Sequence, residues 1–336
     1  MNLSKILAIA ASTYLFASFS NACTVTMATG STGSDIHNEL NTGSPSTFKD
    51  VCLPAGTYYS AQTISIPKNR RLRGLGLNSN VIIEYTGSST RGVRFSNNVT
   101  NSTLLNLRLR GSGVDAYGVL VYNASNITIA GVQIEDFGGI GIGINLSSNV
   151  DIEAGAIQRI GLVPALRQAI WTQDSSDVTI DGVRVIGAAN GPGGDHAIAC
   201  ISSSDYTVKN VYSTRPGSGA IYLNDCDDFS ITNNRVEDGS EFGIDMVNGS
   251  SNGIVSGNRI DRFAFGAMVI DDHIAPGGAP GTDPTNILLT NNSMVGNNTG
   301  GLATCAGINI DYANSSLITV GAGNTSTPSP IQCSWP

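Results

Sequence analysis

Short segments in which apolar and polar residues alternate recur at a nearly constant spacing along the chain. The clearest are eight hexamers with Gly or Ala at the second position and an apolar third residue: YGVLVY at 117, IGIGIN at 140, QAIWTQ at 168, HAIACI at 196, GAIYLN at 219, FGIDMV at 242, FGAMVI at 265 and AGINID at 306. Each is followed by a polar turn, a second alternating segment such as NITIAG at 126, and a third such as RVED at 235. This alternation predicts half-buried strands, and no segment of the region has a long helical period.

Three short strands per repeat predict an all-β solenoid. Several hexamers begin 23 residues apart, as at 219, 242 and 265, and parallel strands about 4.8 Å apart stack such units into a column. We therefore predict a single parallel β-helix with three-strand coils of about 23 residues. Its expected limits are residues 57–323. Residues 23–56 should form an N-terminal cap with a short helix within 31–50, and residues 324–336 a C-terminal tail.

Polar residues recur at the corners of the predicted coils. One corner position, after the hexamer, is occupied by Asn123, Asp174, Ser202, Asp225, Asn248 and Asp271, and a second by Asn126, Asn149, Asp177, Asp205, Asp228 and Asn252. Such residues tolerate turn conformations and satisfy backbone groups with their side chains. We therefore interpret most acidic residues of the repeat as structural ladders rather than catalysts.

The N-terminal residues and the cysteines indicate export. Lys5 precedes an apolar run at residues 6–19, and the small residues Ser20 and Ala22 come just before Cys23. This pattern predicts a signal peptide over residues 1–22 and a secreted protein, extracellular or periplasmic. The six cysteines, an even number, favour disulfides in that compartment, and we expect nearest neighbours to pair: Cys23 with Cys52, Cys200 with Cys226, and Cys305 with Cys333.

The charge composition narrows the choice of partner. The net charge is −8 at pH 7 and the chain has four lysines, which argues against a nucleic-acid partner bound through its phosphates. No second long apolar run follows residues 6–19, so we expect no membrane insertion of the mature chain. We expect it to be a soluble monomer.

The hexamers predict a groove along the solenoid. Alternation should turn the third and fifth residues inward and the second and fourth outward. Because the second residue is always small, the fourth residues would floor a shallow trough: Leu120, Gly143, Trp171, Ala199, Tyr222, Asp245, Met268 and Asn309. The chain lengthens beside this column at residues 161–167, 187–195, 273–284 and 296–305, and such insertions would wall a cleft. A single exposed aromatic residue commonly does no more than pack against its neighbours. Two in one column, Trp171 and Tyr222, instead favour contact with a sugar chain.

Four polar residues are candidates for catalysis. His196, Tyr222 and Asp245 fall on three successive coils facing the predicted trough. We assign His196 as a base, Tyr222 as an acid, Arg215 as the group that neutralises a substrate carboxylate, and Asp245 as the residue that orients His196 or the sugar.

Further residues beside the trough are candidates for substrate binding: Trp171, Arg167, Asp195, Arg262, Asp272 and His273. Arginines beside a trough indicate carboxylate or sulfate groups on the substrate. For Arg215 and Arg262, ion pairs with acidic residues of the outer face remain an equal alternative. We predict no metal or other cofactor, although a Ca²⁺ site at Asp245 with Asp271 or Asp272 remains open.

The segment LPAGTYYSAQTISIPKNRRLRGLG at 53–76 and the coils after it resemble the pectate-lyase-like superfamily of right-handed parallel β-helices. The resemblance implies a right-handed helix and a carbohydrate polymer as substrate. No subfamily motif is complete. The sequence FGID at 242–245 is similar to the first half of the Y-G-F-D-P-H-E motif of mannuronan epimerases, but Met246, Val247 and Asn248 replace the second half.

We therefore predict a carbohydrate-active enzyme that cleaves glycosidic bonds of an acidic, uronic-acid-containing polysaccharide by β-elimination. The main alternative is an inverting hydrolase of the polygalacturonase-like kind, in which Asp245 acts with Asp195, Glu241 or Asp272. A uronate epimerase and a non-catalytic glycan-binding β-helix are further alternatives.

Overall fold

The structure is a computed structural model that describes residues 22–76, 80–87, 91–113, 116–161, 168–188, 196–271, 283–300, 306–311, 317–328 and 330–335. The predicted signal peptide, the cysteine at 305 and most of the lengthened segments fall outside these ranges.

The described residues form one α-helix and two parallel sheets. The helix is α1 (Gly33–Asn41). The larger sheet holds the hexamer strands and the second strands: β1 (Val25–Thr26), β2 (Lys49–Leu53), β4 (Ile64–Ser65), β5 (Arg70–Gly74), β7 (Arg91–Leu105), β9 (Tyr117–Ala130), β11 (Ile140–Asn145), β12 (Ser148–Glu153), β14 (Ile170–Gln173), β15 (Ser176–Asp181), β17 (Ile198–Lys209), β19 (Ile221–Thr232), β21 (Phe242–Val247), β22 (Ser251–Ser256), β24 (Gly266–Asp271), β25 (Thr285–Thr290), β27 (Ile308–Asp311), β28 (Ile318–Val320) and β30 (Gln332–Trp335). The smaller sheet holds the third strands: β3 (Gly56–Ser60), β6 (Val81–Tyr85), β8 (Arg108–Arg110), β10 (Gln133–Glu135), β13 (Ala156–Ile160), β16 (Arg184–Ala188), β18 (Tyr212–Thr214), β20 (Arg235–Glu237), β23 (Arg259–Asp261), β26 (Ser293–Val295) and β29 (Thr325–Thr327).

The architecture is a right-handed parallel β-helix, which confirms the predicted fold class. Each strand pairs in parallel with the equivalent strand one coil later, as Ile198 does with Ile221 in β17 and β19. In every hexamer except the one at 265 the third and fifth residues point inward as predicted, and Val119, Val121 and Met246 are fully buried. One continuous apolar core runs along the axis of the helix, and hydrophobic burial of this kind is the main source of its stability.

Helix α1 closes the N-terminal end of the core, as the sequence predicts. Thr32 and Asp35 form a capping box, in which Asp35 N donates to Thr32 Oγ1 at 3.2 Å and Thr32 N donates to the Asp35 carboxylate at 2.8 Å. Ile36 and Leu40 are fully buried on the face that meets the first coil. The buried guanidinium of Arg70 donates to the Leu40 carbonyl at 2.8 Å, so it ties the end of the helix to the solenoid.

An asparagine ladder lies inside the corner between the second and third strands. In each of three steps a backbone N–H donates to the Oδ1 atom of the next coil: Asn234 to Asn258 at 2.9 Å, Asn258 to Asn292 at 3.0 Å, and Asn292 to Asn324 at 3.0 Å. Each Nδ2 group also donates to a carbonyl of the preceding coil at 2.8–2.9 Å. Every rung is therefore satisfied although all four side chains are buried.

The two predicted corner positions also adopt the expected conformation, except at Asp271, which pairs with Val247 and therefore lies one residue before the corner. Asn123, Asp174 and Asp225 at one corner and Asn126 and Asp228 at the other have φ between 47° and 56°. Amides of successive coils bond to one another, as Asn149 Nδ2 does to Asn126 Oδ1 at 2.6 Å. This supports the structural interpretation of these acidic and amide residues.

Two details of the hexamers differ from the prediction. The hexamer at 265 is shifted by one residue, because Phe242 pairs with Gly266 rather than with Phe265. Met268 is consequently inward and fully buried, and Val269 occupies the floor position beside Asp245. The second residues do not face outward either. A Cβ atom on Gly243 would lie 2.3 Å from Cγ2 of Ile260 in a third strand, so this second residue packs against the smaller sheet with no room for a side chain.

Two of the predicted disulfides are present, Cys23–Cys52 and Cys200–Cys226. Cys333 is also disulfide-bonded, but its predicted partner at 305 lies outside the described residues. The Cys200–Cys226 bond joins the coil that begins at His196 to the following coil, which contains Tyr222. Disulfides are typical of proteins that fold in an oxidising compartment.

Candidate functional site

The fourth residues of the hexamers form one outward column on the larger sheet. Strand pairing places them in the order Leu120, Gly143, Trp171, Ala199, Tyr222, Asp245, Val269 and Asn309. We call this column and the residues beside it the trough. Leu120, Ala199 and Val269 are nearly covered, whereas Trp171, Tyr222 and Asp245 are partly exposed. The exposed polar and aromatic side chains of the column therefore lie in its middle, and Asn309 at its end is buried.

His196, Tyr222 and Asp245 come together in the middle of the trough. The imidazole of His196 stacks on the phenol ring of Tyr222, with 4.6 Å between ring centroids and 22° between planes. Its Nε2 atom lies 3.8 Å from Oδ2 of Asp245. The side chains of His196 and Asp245 expose only 15% and 17% of their surface. The three residues thus form one compact cluster on successive coils, as predicted.

The glycine at 219 makes this arrangement possible. Gly219 is the first residue of the hexamer that follows the His196 hexamer. A Cβ atom there would lie 2.5 Å from Cδ2 of His196 and 2.6 Å from the Phe242 carbonyl oxygen. The missing side chain therefore leaves room for the imidazole to lie over the next coil, where it meets Tyr222.

Polar atoms of the cluster are left without hydrogen bonds. Among the described residues, Nε2 of His196 and Oδ1 of Asp245 are buried and have no partner. Oδ1 of Asn248 is in the same state. Buried polar atoms without partners cost folding free energy, and active sites are where such a cost is commonly retained.

The environment shifts the proton affinity of all three cluster residues. Burial lowers the pKa of His196 to about 4. Burial raises the pKa of Asp245 to about 8, and the charges of Glu241 and Asp271 add to the shift. Burial also raises the pKa of Tyr222, opposed by a hydrogen bond from Asn224 Nδ2 at 2.7 Å. Between about pH 4 and pH 8 the His196–Asp245 pair therefore holds one proton, carried by the carboxyl group and available for transfer.

Aromatic rings extend the trough beyond the cluster. Trp171 lies two coils from Tyr222, which is about 10 Å at the spacing of parallel strands. Next to Trp171 in the column is Gly143, where a Cβ atom would lie 2.7 Å from the Tyr117 ring. Tyr117 therefore covers the floor at Gly143. Tyr117 is not among the predicted site residues, because it stands at the first position of its hexamer, outside the column of fourth residues.

Arg215 and Arg262 lie away from the cluster, on the corner between third strands and hexamers. Arg262 donates to Asp238 at 2.6 Å and 3.1 Å and to Glu237 at 3.2 Å, so its guanidinium is engaged in ion pairs of the outer face. Arg215 lines a concavity with Gln158, Arg159, Ile186 and Gly187. No cluster residue lines that concavity, and the structure does not bring Arg215 together with His196.

Other predicted site residues, Arg167, Asp195, Asp272 and His273, lie outside the described residues. Among the residues that are described, no group of three or more His, Cys, Asp or Glu side chains could hold a metal ion. The described helix is also too short to span a bilayer.

Two neighbours of the cluster, Asn224 and Glu241, were given no role in the predicted elimination reaction. Asn224 bonds to the Tyr222 hydroxyl, and Ser218 donates to the Glu241 carboxylate, whose charge acts on Asp245. Asn224 could have been recognised, because it stands two residues after Tyr222 on the same outward face.

Solved structures share the fold at low identity. The A-module of a mannuronan C-5 epimerase from Azotobacter vinelandii is 14% identical, with a TM-score of 0.58 over 89% of this chain and 93% of that one. An alginate lyase from Paenibacillus is 16% identical, with a TM-score of 0.58 over 93% and 98%. A surface adhesin of Streptococcus pneumoniae is 14% identical, with a TM-score of 0.58 over 82% and 83%. Enzymes and an adhesin therefore share this architecture, and likeness at such identity shows the fold alone.

No curated protein sequence matches the chain. The family model described as "Right handed beta helix region" matches residues 74–193 and 165–322. These matches span most of the chain and agree with the parallel coils of the structure, so the protein belongs to the right-handed β-helix family.

Proposed function

We propose that the protein is a secreted enzyme that cleaves an acidic, uronic-acid-containing polysaccharide by β-elimination. The observation that carries the proposal is the His196–Tyr222–Asp245 cluster, in which unsatisfied polar atoms and shifted pKa values coincide in a trough with an aromatic floor. Perturbed titration in a cleft is typical of acid–base catalysis. The similar alginate lyase and mannuronan epimerase are consistent with a uronate polymer, although their similarity extends only to the fold.

The reaction requires three groups. A base takes the proton on the carbon next to the uronate carboxyl group, and the C–H electrons form a double bond as the C–O bond to the neighbouring sugar breaks. An acid gives a proton to the departing oxygen. A third group counters the charge that accumulates on the carboxylate. The products are an unsaturated uronate and a new reducing end.

The cluster supplies these groups in the states they need. His196 is neutral above about pH 4 and its Nε2 atom has no partner, so it can accept the proton. Tyr222 keeps its proton because its pKa is raised, so it can act as the acid. Asp245 is a neutral carboxylic acid below about pH 8 and can donate a hydrogen bond to the substrate carboxylate.

Asp245 therefore takes the role that the sequence analysis assigned to Arg215. The guanidinium of Arg215 lines a different concavity, and among the described residues no arginine or lysine approaches the cluster within ion-pair distance. A protonated carboxyl group shares its proton with a carboxylate most effectively where water is excluded, and Asp245 is largely buried.

The test is incubation of the purified protein with uronic-acid and neutral polysaccharides, reading ultraviolet absorbance of the new double bond and reducing ends in parallel. We expect both signals to rise on a uronate polymer and to be lost in His196→Gln and Tyr222→Phe. Asp205→Asn, at an exposed corner, is the matched control and should cleave normally. Absence of the double-bond signal on every polymer would overturn the proposal.

An inverting hydrolase remains a second candidate because Asp245, with its raised pKa, also suits a general acid. Glu241, one of its predicted partners, acts on it electrostatically together with Asp271. Reducing ends without double bonds would select this reaction, and Glu241→Gln would then abolish it. Exchange of the sugar proton with solvent deuterium, without cleavage, would instead assign epimerisation.

Export of the protein is part of the proposal. Residues 1–22 have the pattern of a signal peptide, and the two disulfides fit an oxidising compartment. N-terminal sequencing of the protein recovered outside the cytoplasm should begin at Cys23.

A further inference from the structure

The corner between third strands and hexamers carries a repeated pattern of charges. Seven residues there share a left-handed backbone, with φ between 51° and 66°, one on each of seven successive coils: Asp136, Arg159, Gly187, Arg215, Asp238, Arg262 and Gly296. We call them the corner column. Two Asp residues in it are followed one coil later by an Arg, and in both cases the two side chains form a bidentate ion pair.

The two ion pairs have nearly the same geometry. Arg159 Nε and Nη2 donate to Asp136 at 2.5 Å and 2.9 Å, and Arg262 Nε and Nη2 donate to Asp238 at 2.6 Å and 3.1 Å. Each Nη2 also reaches the Glu that precedes the Asp, at 2.9 Å and 3.2 Å. An arginine in this corner is thus positioned to hold a carboxylate that lies one coil before it.

Arg215 occupies the same corner position without such a partner. One coil before it stand Ile186 and Gly187, where the other two arginines meet a Glu and an Asp. The side chain of Arg215 is exposed and makes no hydrogen bond or ion pair with the described residues, although its backbone N–H donates to the Glu237 carbonyl at 3.0 Å. The charge of Arg215 helps to lower the pKa of Asp238 on the coil after it.

The missing carboxylate leaves a space. A concavity of about 310 Å³ is lined by Gln158, Arg159, Ile186, Gly187 and Arg215. A Cβ atom on Gly187 would meet nothing within 4 Å. The concavity therefore has a guanidinium on either side, an amide at one edge, and no acidic residue among its lining residues. We call it the vacant rung.

We propose that the vacant rung is a binding site for a carboxylate group of the substrate, held by Arg215 in the bidentate geometry that Arg159 and Arg262 display toward Asp. The chain itself provides the template for the ligand, since Asp136 and Asp238 show which group such an arginine holds at this corner. That the carboxylate belongs to a uronate of a polysaccharide rests on the proposed function. The site itself does not depend on it, nor on the cluster in the trough.

Gly187 offers a direct way to test the site. Its φ of 59° lies between those of Arg159 and Asp136, at 51° and 61°, so an Asp fits the backbone there as it does elsewhere in the column. Gly187→Asp would supply the missing carboxylate from within the chain and occupy Arg215. Gly187→Asn has the same shape without the charge and is the matched control.

The experiment is calorimetric titration of trisaccharides of galacturonate and of mannuronate into the wild type and the variants. We expect one of them to bind the wild type and Gly187→Asn alike, and to bind Gly187→Asp and Arg215→Gln about tenfold more weakly, which is a typical contribution of one charge-assisted contact. The difference should shrink in about 0.5 M salt because the site is exposed. Combining both substitutions should add nothing beyond either alone.

Other results would overturn the proposal. They are equal binding by Gly187→Asp and the wild type, an equal loss in Gly187→Asn and Gly187→Asp, and no binding of either trisaccharide to the wild type. If Gly187→Asp weakened binding of a sulfated trisaccharide but not of the uronates, the site would bind a sulfate group and not a carboxylate. If the wild type cleaves no polymer but Gly187→Asp still weakens uronate binding, the proposed function fails and this site stands.

Discussion

Two sets of largely buried polar side chains lie along the same solenoid, the asparagine ladder and the trough cluster. They differ in whether they repeat from coil to coil and in whether their polar atoms have hydrogen-bond partners. The asparagine ladder repeats one residue on four successive coils, and each of its side chains donates and accepts. The trough cluster places three different residues on three coils and leaves Nε2 of His196 and Oδ1 of Asp245 without partners in the described part of the chain. In a solenoid, structural polar groups can recur at every coil, because the same backbone groups need satisfying each time. A polar group that breaks the repeat and stays unsatisfied is therefore a better candidate for function.

The largest effect should come from the imidazole. His196→Gln should lower turnover on the order of a thousandfold, about 4 kcal/mol on the barrier, because it removes the proposed base. The melting temperature should stay the same or rise, since no hydrogen bond of the folded state is lost. Turnover and thermal melts of the same preparation check both. Unchanged turnover would remove His196 from the mechanism.

The ladder should respond in the opposite way. Asn258→Ala removes the acceptor of Asn234 N–H and the donor to the Ile231 carbonyl, both buried, so we expect a loss of stability of about 3 kcal/mol. Turnover per folded molecule should not change. Asn233→Gly, at an exposed position with φ 56°, is the matched control and should cost about 0.5 kcal/mol or less. Urea unfolding measures the difference, and equal losses in both variants would contradict the comparison.

The cluster should also impose a pH dependence on stability that the ladder cannot. Asp245 holds its proton up to about pH 8 in the folded state, so its contribution to stability falls as pH rises from about 4 to 8. His196 has the reverse shift, and its contribution rises between about pH 4 and pH 6.5. The two opposite pH dependences cancel between about pH 4 and pH 6.5. Between pH 6.5 and pH 8 only that of Asp245 remains, and the free energy of unfolding should fall by about 2 kcal/mol.

Asp245→Asn should remove that loss, because an amide has no proton to release in this range. Urea unfolding of the wild type and the variant at the two pH values provides the measurement, with Asp205→Asn as the control that keeps the wild-type slope. If Asp245→Asn destabilises the protein equally at both pH values, the carboxyl group is not the buried acid described above.

The smallest effect concerns the binding part of the trough. Trp171→Ala should raise KM about tenfold, near 1.4 kcal/mol, and leave kcat unchanged, because the indole lies two coils from the cluster and can contact only a neighbouring sugar unit. Trp171→Phe keeps an aromatic face and should recover most of the affinity. A fall in kcat alone would mean that the ring supports the cluster instead.

The repeat and its inward residues could be predicted because alternation and spacing depend on the local chain. The same parity placed Tyr222 and Asp245 on the floor of the trough, and the position of His196 at the start of its hexamer placed it beside them. The predicted register was wrong for the hexamer at 265, where the 23-residue spacing does not match the strand pairing. Phe242 and Phe265 both precede Gly, but one coil has an extra residue, so the pairing shifts and Val269 replaces Met268 on the floor.

Two other limits have physical causes. Gly118, Gly141 and Gly243, at the second position of their hexamers, each lie against an Ile of a third strand, and alternation along one strand cannot reveal contact with another sheet. The role of Arg215 depended on whether its long, flexible side chain turns toward the trough or toward the outer face of the corner. The sequence is the same in both cases, so it could not decide between them. The asparagine ladder left a visible signal, since Asn234, Asn258 and Asn292 each stand immediately before a third strand.

Strands of successive coils pair in the same way whatever the number of residues between them. Leu120 and Gly143 are neighbours in the floor column across 23 residues of chain, and Val269 and Asn309 are equally neighbours across 40. The stacked coils keep their register across both lengths of chain. A lineage of such proteins can therefore exchange its recognition segments freely while the spacing of its reactive groups stays constant, so that new specificity can evolve without rebuilding the chemistry.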